Sequence, residues 1–165
     1  MWRYCTDGPR RLLSALSLLL LLTTPATAQL CPTPPDPTAL RQAMLTQVNA
    51  ERAAAGLAAL TPSRRLTLAA QGHACGLARR EQLSHRGGLG SSLRLRLRRV
   101  GYPMALAGEN LASGQETPAQ AIAGWMNSPG HRTNLLMEGA EDFGLGMAIA
   151  RDGRLVWVMI GARQR

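Results

Sequence analysis

The chain has 165 residues, which suits a single domain, and its 19 arginines, with no lysine, outweigh ten acidic residues to give a net charge of +9. Aromatic residues make up only 4% of the chain and no nucleic-acid-reading module is recognisable, so nucleic acid is excluded as a partner. The basic charge reflects either a genome that favours arginine, which is the simpler explanation, or an affinity for polyanions such as phospholipid headgroups and envelope polysaccharide.

The first 28 residues have the pattern of a secretory signal peptide. Basic residues precede an apolar run at residues 12–22, and the Ala-Thr-Ala sequence at residues 26–28 is a small-x-small cleavage site. The apolar run is shorter than the roughly 20 residues that a membrane-spanning helix needs. We therefore expect cleavage after Ala28, a secreted or periplasmic location and no transmembrane segment in the mature chain.

Cleavage leaves two cysteines, Cys31 and Cys75, because Cys5 lies in the signal peptide. In an oxidising compartment two cysteines most simply form one disulfide, and the alternative is a pair of free, partly buried thiols. A Cys31–Cys75 bond would hold the proline-rich segment at residues 29–37 against the helix that carries Cys75. Residues 38–165 are then predicted to form one domain.

Helices are predicted in the first half of the mature chain. Apolar residues at helical spacing predict a helix over residues 38–55, and Ser63 caps a second helix that ends near Leu83. His73 falls on the core face of that helix, where a histidine usually serves packing, so it is left out of the site. Residues 92–100 fit a strand or a helix, and we favour a helix with a basic exposed side formed by Arg94, Arg96, Arg98 and Arg99.

Strands are predicted later in the chain. Residues 107–113 are expected to be extended, residues 143–150 alternate large and small side chains, and residues 155–160 are apolar on both faces. Asp152-Gly153 predicts a two-residue hairpin turn between the last two strands. Together the elements indicate the α+β class: a three-layer α-β-α sandwich with a short central antiparallel sheet flanked by helices.

Polar residues flanked by glycine or proline mark a candidate site on three separate elements. His85 follows the second helix, Glu109 lies in the first strand, and His131 lies in the first turn of a short helix that Ser128 caps. The positive end of that helix disfavours an imidazolium, so His131 is expected to be neutral and able to accept a hydrogen bond or a metal. Arg132 is a further candidate for the same cleft.

In this order the motifs resemble the CAP superfamily of cysteine-rich secretory, antigen-5 and pathogenesis-related proteins, with its bacterial SCP-like members. The matching segments are Val48-Asn49 with Arg52, Leu57 with Leu60, Leu66 with Ala69, Ser84-His85, residues 108–111, residues 125–134, Gly144 with Gly146, and the strand of Trp157. The resemblance covers nearly all of the domain after Thr38 and implies an α-β-α sandwich with a large cleft. Trp125 is predicted to be core, and Asn110 and Asn134 to bridge loops through their amides.

Members of the superfamily place two histidines and two glutamates in that cleft, and some bind a divalent metal there. Carried over, the resemblance implies His85, His131 and Glu109 as ligands, with zinc the expected metal. The second glutamate of the animal and plant members follows the tryptophan by three residues, where this chain has Ser128. Candidates to replace it from the following loop are Glu138, Glu141 and Asp142.

Our main expectation is a monomeric extracellular or envelope binding module whose ligand is a lipid, sterol, glycan or protein. The alternative is a metal-dependent hydrolase that uses the same cleft, with Glu109 and His131 as its catalytic candidates. Nucleophilic attack by Ser84 or Ser128 is disfavoured because both have simpler roles and neither lies in an elbow motif. In a structural role, which is compatible with metal binding, a buried Glu109 would tie its strand to the turn at His131.

Overall fold

The computed structural model describes residues 31–165, so the predicted signal peptide and its cleavage site lie outside the described residues. A short 3-10 turn at Gly88–Gly90 connects the second and third helices. The helices and strands, in chain order, are α1 (Pro37–Ala54), β1 (Thr61–Pro62), α2 (Arg64–Arg80), α3 (Leu93–Arg99), β2 (Met104–Ser113), α4 (Pro118–Met126), α5 (Pro129–Leu135), β3 (Asp142–Ile149) and β4 (Leu155–Gln164).

The four strands form one sheet in the order β1-β3-β4-β2, so β2 lies at an edge. The three long strands pair antiparallel, as predicted, with β4 between β3 and β2. The two-residue β1 pairs parallel to β3 and was not predicted, because a strand this short has no periodicity to detect. The position of β2 at the edge matters for function, since it leaves one side of that strand accessible to other groups.

Both faces of the sheet are covered, which confirms the three-layer α-β-α arrangement. Along β4, Val156, Val158 and Ile160 belong to a buried cluster with residues of α2 and α3. The intervening Trp157 and Met159 belong to a second cluster with residues of α1, α4 and α5, including the buried Trp125. This alternation follows from the two-residue period of a strand, and it explains why β4 is apolar on both faces.

Close packing of β3 against α2 depends on two glycines. A methyl group added at Gly144 would lie 2.4 Å from the Leu66 carbonyl carbon, and one added at Gly146 would lie 2.2 Å from that of Ala70. These distances confirm that one face of β3 admits the backbone of a neighbouring element. The small residues therefore set the spacing between the sheet and α2, the helix that carries His73.

The N-terminal segment and the loop after α5 are tied to this frame by specific bonds. Cys31 and Cys75 form the expected disulfide, and Pro32 accepts a hydrogen bond from Ile149 of β3. Arg52 is buried on α1, and its guanidinium donates to the carbonyls of Ala58, Leu135, Met137 and Ala140. Burial lowers the pKa of Arg52 because desolvation disfavours its charge.

Several predicted boundaries are wrong: β2 begins at Met104 rather than at residue 107, β4 ends at Gln164 rather than at residue 160, and two further differences have a local cause. The β3–β4 hairpin has three residues in its turn, 151–153, since Ala150 N–H donates to the Arg154 carbonyl, and Gly153 takes a positive φ of 82°. A three-residue turn with glycine in the left-handed region replaces the predicted two-residue turn. Helix α2 ends at Arg80 rather than near Leu83, because Glu81 adopts a left-handed conformation that stops the helix.

Replacement of Gly146 by alanine should destabilise the fold by about 3 kcal/mol or more, because backbone atoms of α2 cannot yield to the new methyl group as a side chain would. The matched control is Gly124→Ala in α4, where nothing lies within 4 Å and alanine should stabilise the helix by about 0.5–1 kcal/mol. Urea unfolding of both variants measures the difference. Equal stabilities would contradict the close contact between β3 and α2.

Candidate functional site

Glu109 is the buried acid around which the site is built. It lies on the edge strand β2, is only 4% exposed, and faces the layer formed by α2 and α3. Its Oε2 accepts a short hydrogen bond from Arg96 Nη2, and its Oε1 lies 3.0 Å from His85 Nδ1. A buried carboxylate is costly unless it is paired and hydrogen-bonded, and both oxygens of Glu109 meet that requirement.

Arg96 was predicted to lie on the exposed basic side of α3, and this prediction is wrong. The side chain is buried, and besides Glu109 it donates through Nη1 to the carbonyls of His85 and Ser91, each at 3.0 Å. The neighbouring Arg94, Arg98 and Arg99 are exposed, as expected. Arg96 differs from them because its position on α3, next to the buried Leu97, directs it toward the carboxylate.

His73 also borders Glu109, although it was left out of the predicted site. It is buried on α2, as expected, and its Nε2 lies 3.7 Å from Glu109 Oε1, without a hydrogen-bond partner among the described residues. Burial lowers the pKa of His73, and the positive charge of Arg96 lowers it further. Together these two effects outweigh the attraction of Glu109, which raises the pKa. In the sequence, nothing distinguishes this residue from an ordinary core histidine.

His85 is the exposed member of the cluster. Its side chain is 62% exposed, and it lines an open cleft of about 420 Å³ together with Arg86, Ser92, Leu93 and Asn134. When Nδ1 carries the proton it donates to Glu109, and Nε2 is then presented to the cleft as an acceptor. Glu109 therefore fixes the orientation of the imidazole through Nδ1, while the rest of the ring is open to solvent.

The predicted tie between β2 and the turn at His131 exists, but Glu109 makes it only through its main chain. Asn110 Nδ2 donates to the His131 carbonyl at 2.8 Å, and Asn134 Nδ2 donates to the Glu109 carbonyl and to Asn110 Oδ1. Successive strand residues face opposite sides, so Asn110 faces α5 while the Glu109 side chain faces α2 and α3. Asn110 and Asn134 bridge two elements through their amides, as predicted, but these elements are strand β2 and helix α5 rather than loops.

The remaining predicted residues lie near the start of α5. His131 is half-buried in its first turn, Arg132 is exposed, and Ser128 occupies the capping position without making a side-chain capping bond. The bonds that hold the Glu109 carboxylate within residues 31–165 come from His85 and Arg96 rather than from His131. Of the three acids predicted to lie in the following loop, Asp142 is the first residue of β3 and accepts a hydrogen bond from the Tyr102 hydroxyl at 2.6 Å.

The positions of these side chains determine whether they fit the expected zinc ion. Within the described part of the chain, no group of three or more His, Cys, Asp or Glu side chains could hold a metal ion. As arranged, Glu109 does not fit a zinc ligand, because the Arg96 guanidinium occupies one oxygen and would repel a second cation. A site at His85, Glu109 and His131 would need Arg96 to withdraw, and it stays a prediction.

These observations define a class of domain, namely a three-layer sandwich with a histidine–glutamate pair at the edge of its sheet. The model of the CAP, or Cysteine-rich secretory protein, family matches residues 45–160, and the chain belongs to this family. It is 31% identical over 126 residues to the protein YkwD of Bacillus subtilis (strain 168), an alignment that covers 74% of this chain. The same alignment covers 49% of YkwD, so the chain spans about half the length of this relative.

Two solved structures are similar to the described fold. An extracellular protein from Bacillus anthracis that contains an SCP domain is 28% identical with a TM-score of 0.69, over 77% of this chain and 41% of that one. An outer surface protein from Borrelia burgdorferi is 21% identical with a TM-score of 0.70, over 75% of this chain and 92% of that one. The second likeness concerns the fold alone.

Removing the Arg96 charge should expose the cost of burying Glu109. We expect Arg96→Met to destabilise the protein by about 3–5 kcal/mol, because it leaves an uncompensated buried carboxylate. Arg94→Met, on the exposed side of the same helix, should change stability by less than about 0.5 kcal/mol. Adding Glu109→Gln to Arg96→Met should recover part of the loss in urea unfolding. Equal losses in the two single variants would contradict the buried pair.

The lowered pKa of His73 predicts a pH dependence of stability. The unfolded chain binds a proton as the pH falls through the ordinary value of 6.5, while the folded state keeps His73 neutral to lower pH. The free energy of unfolding should therefore be highest above that pH and decrease below it. His73→Gln removes this contribution, so unfolding of both proteins in EDTA at about pH 7.5 and about pH 5 should show the smaller decrease in the variant. Parallel decreases would contradict the assignment.

Proposed function

We propose that this protein is an extracellular or envelope binding module whose ligand binds in the cleft beside His85. The predicted signal peptide supports export, and the two similar structures belong to an extracellular protein and an outer surface protein. Within residues 31–165, none of the helices has the length and apolar character needed to cross a membrane. The predicted signal peptide and the names of these two proteins together support a secreted or periplasmic location.

The pairing of Glu109 with Arg96 is the observation that favours binding over catalysis. A general base must lie within hydrogen-bond reach of the proton that it removes, whereas the Glu109 carboxylate is buried and its charge is paired with Arg96. Ser84, the serine adjacent to His85, uses its Oγ to accept from the Arg86 N–H. The cluster therefore offers a well-oriented imidazole, but it does not assemble an activated nucleophile beside it.

The lining of the cleft favours an acidic, polar ligand among the lipids, sterols, glycans and proteins considered. Arg86 and Ser92 supply hydrogen-bond donors around His85, and Leu93 adds a small apolar surface. The negative charge of Glu109 is cancelled by Arg96, so the exposed charge of the cleft comes from Arg86. Carboxylate-bearing glycans of the bacterial envelope combine the hydroxyl groups and the negative charge that this lining suits.

Calorimetry with soluble acidic muropeptides, and with neutral oligomers of N-acetylglucosamine for comparison, tests this proposal. We expect binding of the acidic ligand that weakens with salt and about tenfold with Arg86→Gln, the loss of one charge-assisted hydrogen bond. His85→Ala should also weaken it, while Arg151→Gln, an exposed arginine in the β3–β4 turn, should not. Equal binding of the neutral oligomer, or no effect of Arg86→Gln, would contradict the proposal.

The same calorimeter, loaded with zinc chloride, tests the metal-dependent hydrolase. The contact between His85 and Glu109 is the feature that keeps this alternative open, although Arg96 opposes it. Micromolar binding that is lost in both His85→Ala and His131→Ala would establish the metal site and favour the hydrolase. Because Arg96 holds Glu109, we expect no such binding.

A further inference from the structure

A second concave surface lies between α2 and the segment that leads into α3. Its volume is about 370 Å³, and its apolar lining includes Leu68, Leu89 and Val100. Glycines of α2 and of the connecting turn, Gly72, Gly76, Gly87 and Gly88, keep it shallow and open. We call this surface the leucine face. It consists of Leu68, Leu89 and Val100, with Arg80 and Arg99 at its margin. It is separate from the cleft that His85 lines.

Leu89 is the unusual residue of the leucine face. It is fully exposed at the tip of the turn, with a relative accessibility of 103%, and it takes a left-handed φ of 54° between Gly88 and Gly90. A branched apolar side chain is unfavourable in water and unfavourable in this backbone conformation. Leu68, on the adjacent turn of α2, is 53% exposed. Neither leucine contributes to either buried core cluster of residues 31–165.

The charges at the margin of this face are positive. A methyl group at Gly76 or Gly88 would lie 3.3 Å or 3.8 Å from Arg80 Nη1, which places that guanidinium beside the turn that carries Leu89. Arg99, on α3, also lines the surface. Arg96, at the base, directs its charge to Glu109, and no acidic side chain lines the surface in the described residues.

From this combination we infer that the leucine face docks on an anionic phospholipid surface. Leu89 and Leu68 would enter the boundary between headgroups and acyl chains, while Arg80 and Arg99 contact lipid phosphates. Apolar insertion and attraction to anionic lipid are each weak alone, and peripheral membrane binding commonly needs both. The inference uses the expected extracellular or envelope location but does not depend on the ligand of the cleft.

Cosedimentation of the secreted protein with vesicles tests the inference. The vesicles contain phosphatidylcholine alone, or phosphatidylcholine with roughly one quarter phosphatidylglycerol, at about 0.1 M salt. We expect binding only to the anionic vesicles, reduced about tenfold by Leu89→Ser and by Arg80→Gln with Arg99→Gln. The matched controls are Leu83→Ser, an exposed leucine beside a different cavity, and Arg132→Gln with Arg151→Gln. These controls should bind like the unchanged protein.

Leu89→Trp supplies a direct signal, because Trp125 and Trp157 are buried. Its emission should shift to the blue with anionic vesicles and be quenched by brominated acyl chains. His85→Ala should leave vesicle binding unchanged, so failure of the cleft proposal and failure of this one are distinguishable. Wild-type binding by Leu89→Ser, or equal binding to neutral vesicles, would overturn the inference. A dimer that Leu89→Ser dissociates in sedimentation equilibrium, without vesicle binding, would assign the face to a second copy of the chain.

Discussion

A carboxylate that is buried at the edge of a sheet keeps its charge only if other groups compensate it, and this requirement organises the functional half of the molecule. Glu109 obtains a cation from α3 and an imidazole from the segment after α2. Each of these partners belongs to a different element, so the carboxylate fixes their relative positions. The free-energy penalty of an unpaired buried charge is larger than the stabilisation that most single contacts give. Other positions of these two partners, which would leave the carboxylate unpaired, are therefore disfavoured.

Arg96 transmits this constraint to the segment between α2 and α3. Its Nη1 donates to the carbonyls of His85 and Ser91, so one guanidinium holds both ends of a short loop whose tip is Leu89. One end of the loop carries the imidazole that lines the cleft, and its middle carries Leu89 of the leucine face. The two proposed binding surfaces therefore share a support while having different lining residues, and for this reason they can be tested separately.

Much of the fold was predictable because it depends on local patterns. Helical spacing, the alternation of large and small residues in β3, and the apolar run of β4 are visible in the sequence, and each corresponds to an observed element. The site was predictable only in part. His85 and Glu109 were expected to meet and do, but the choice of Arg96 over Arg94 or Arg98 depends on which side of α3 faces a partner remote in sequence. His73 was missed for the same reason, since its relevance comes from its distance to Glu109.

The arginine-rich composition also has a structural explanation that charge alone does not show. Arg52 donates to four backbone carbonyls, and Arg96 donates to a carboxylate and two carbonyls. A lysine ammonium is a compact, strongly hydrated charge and cannot span these acceptors, whereas the planar guanidinium reaches them with little further loss of side-chain freedom. A genome bias toward arginine therefore does not account for these two positions. Arg41 is half-buried and also makes structural bonds, to the Leu145 carbonyl and to Gln71 Oε1. For the exposed arginines of residues 31–165, genome bias and an anion-binding surface are both possible explanations. Arg80 and Arg99 lie beside exposed leucines, which is the context in which positive charge assists docking.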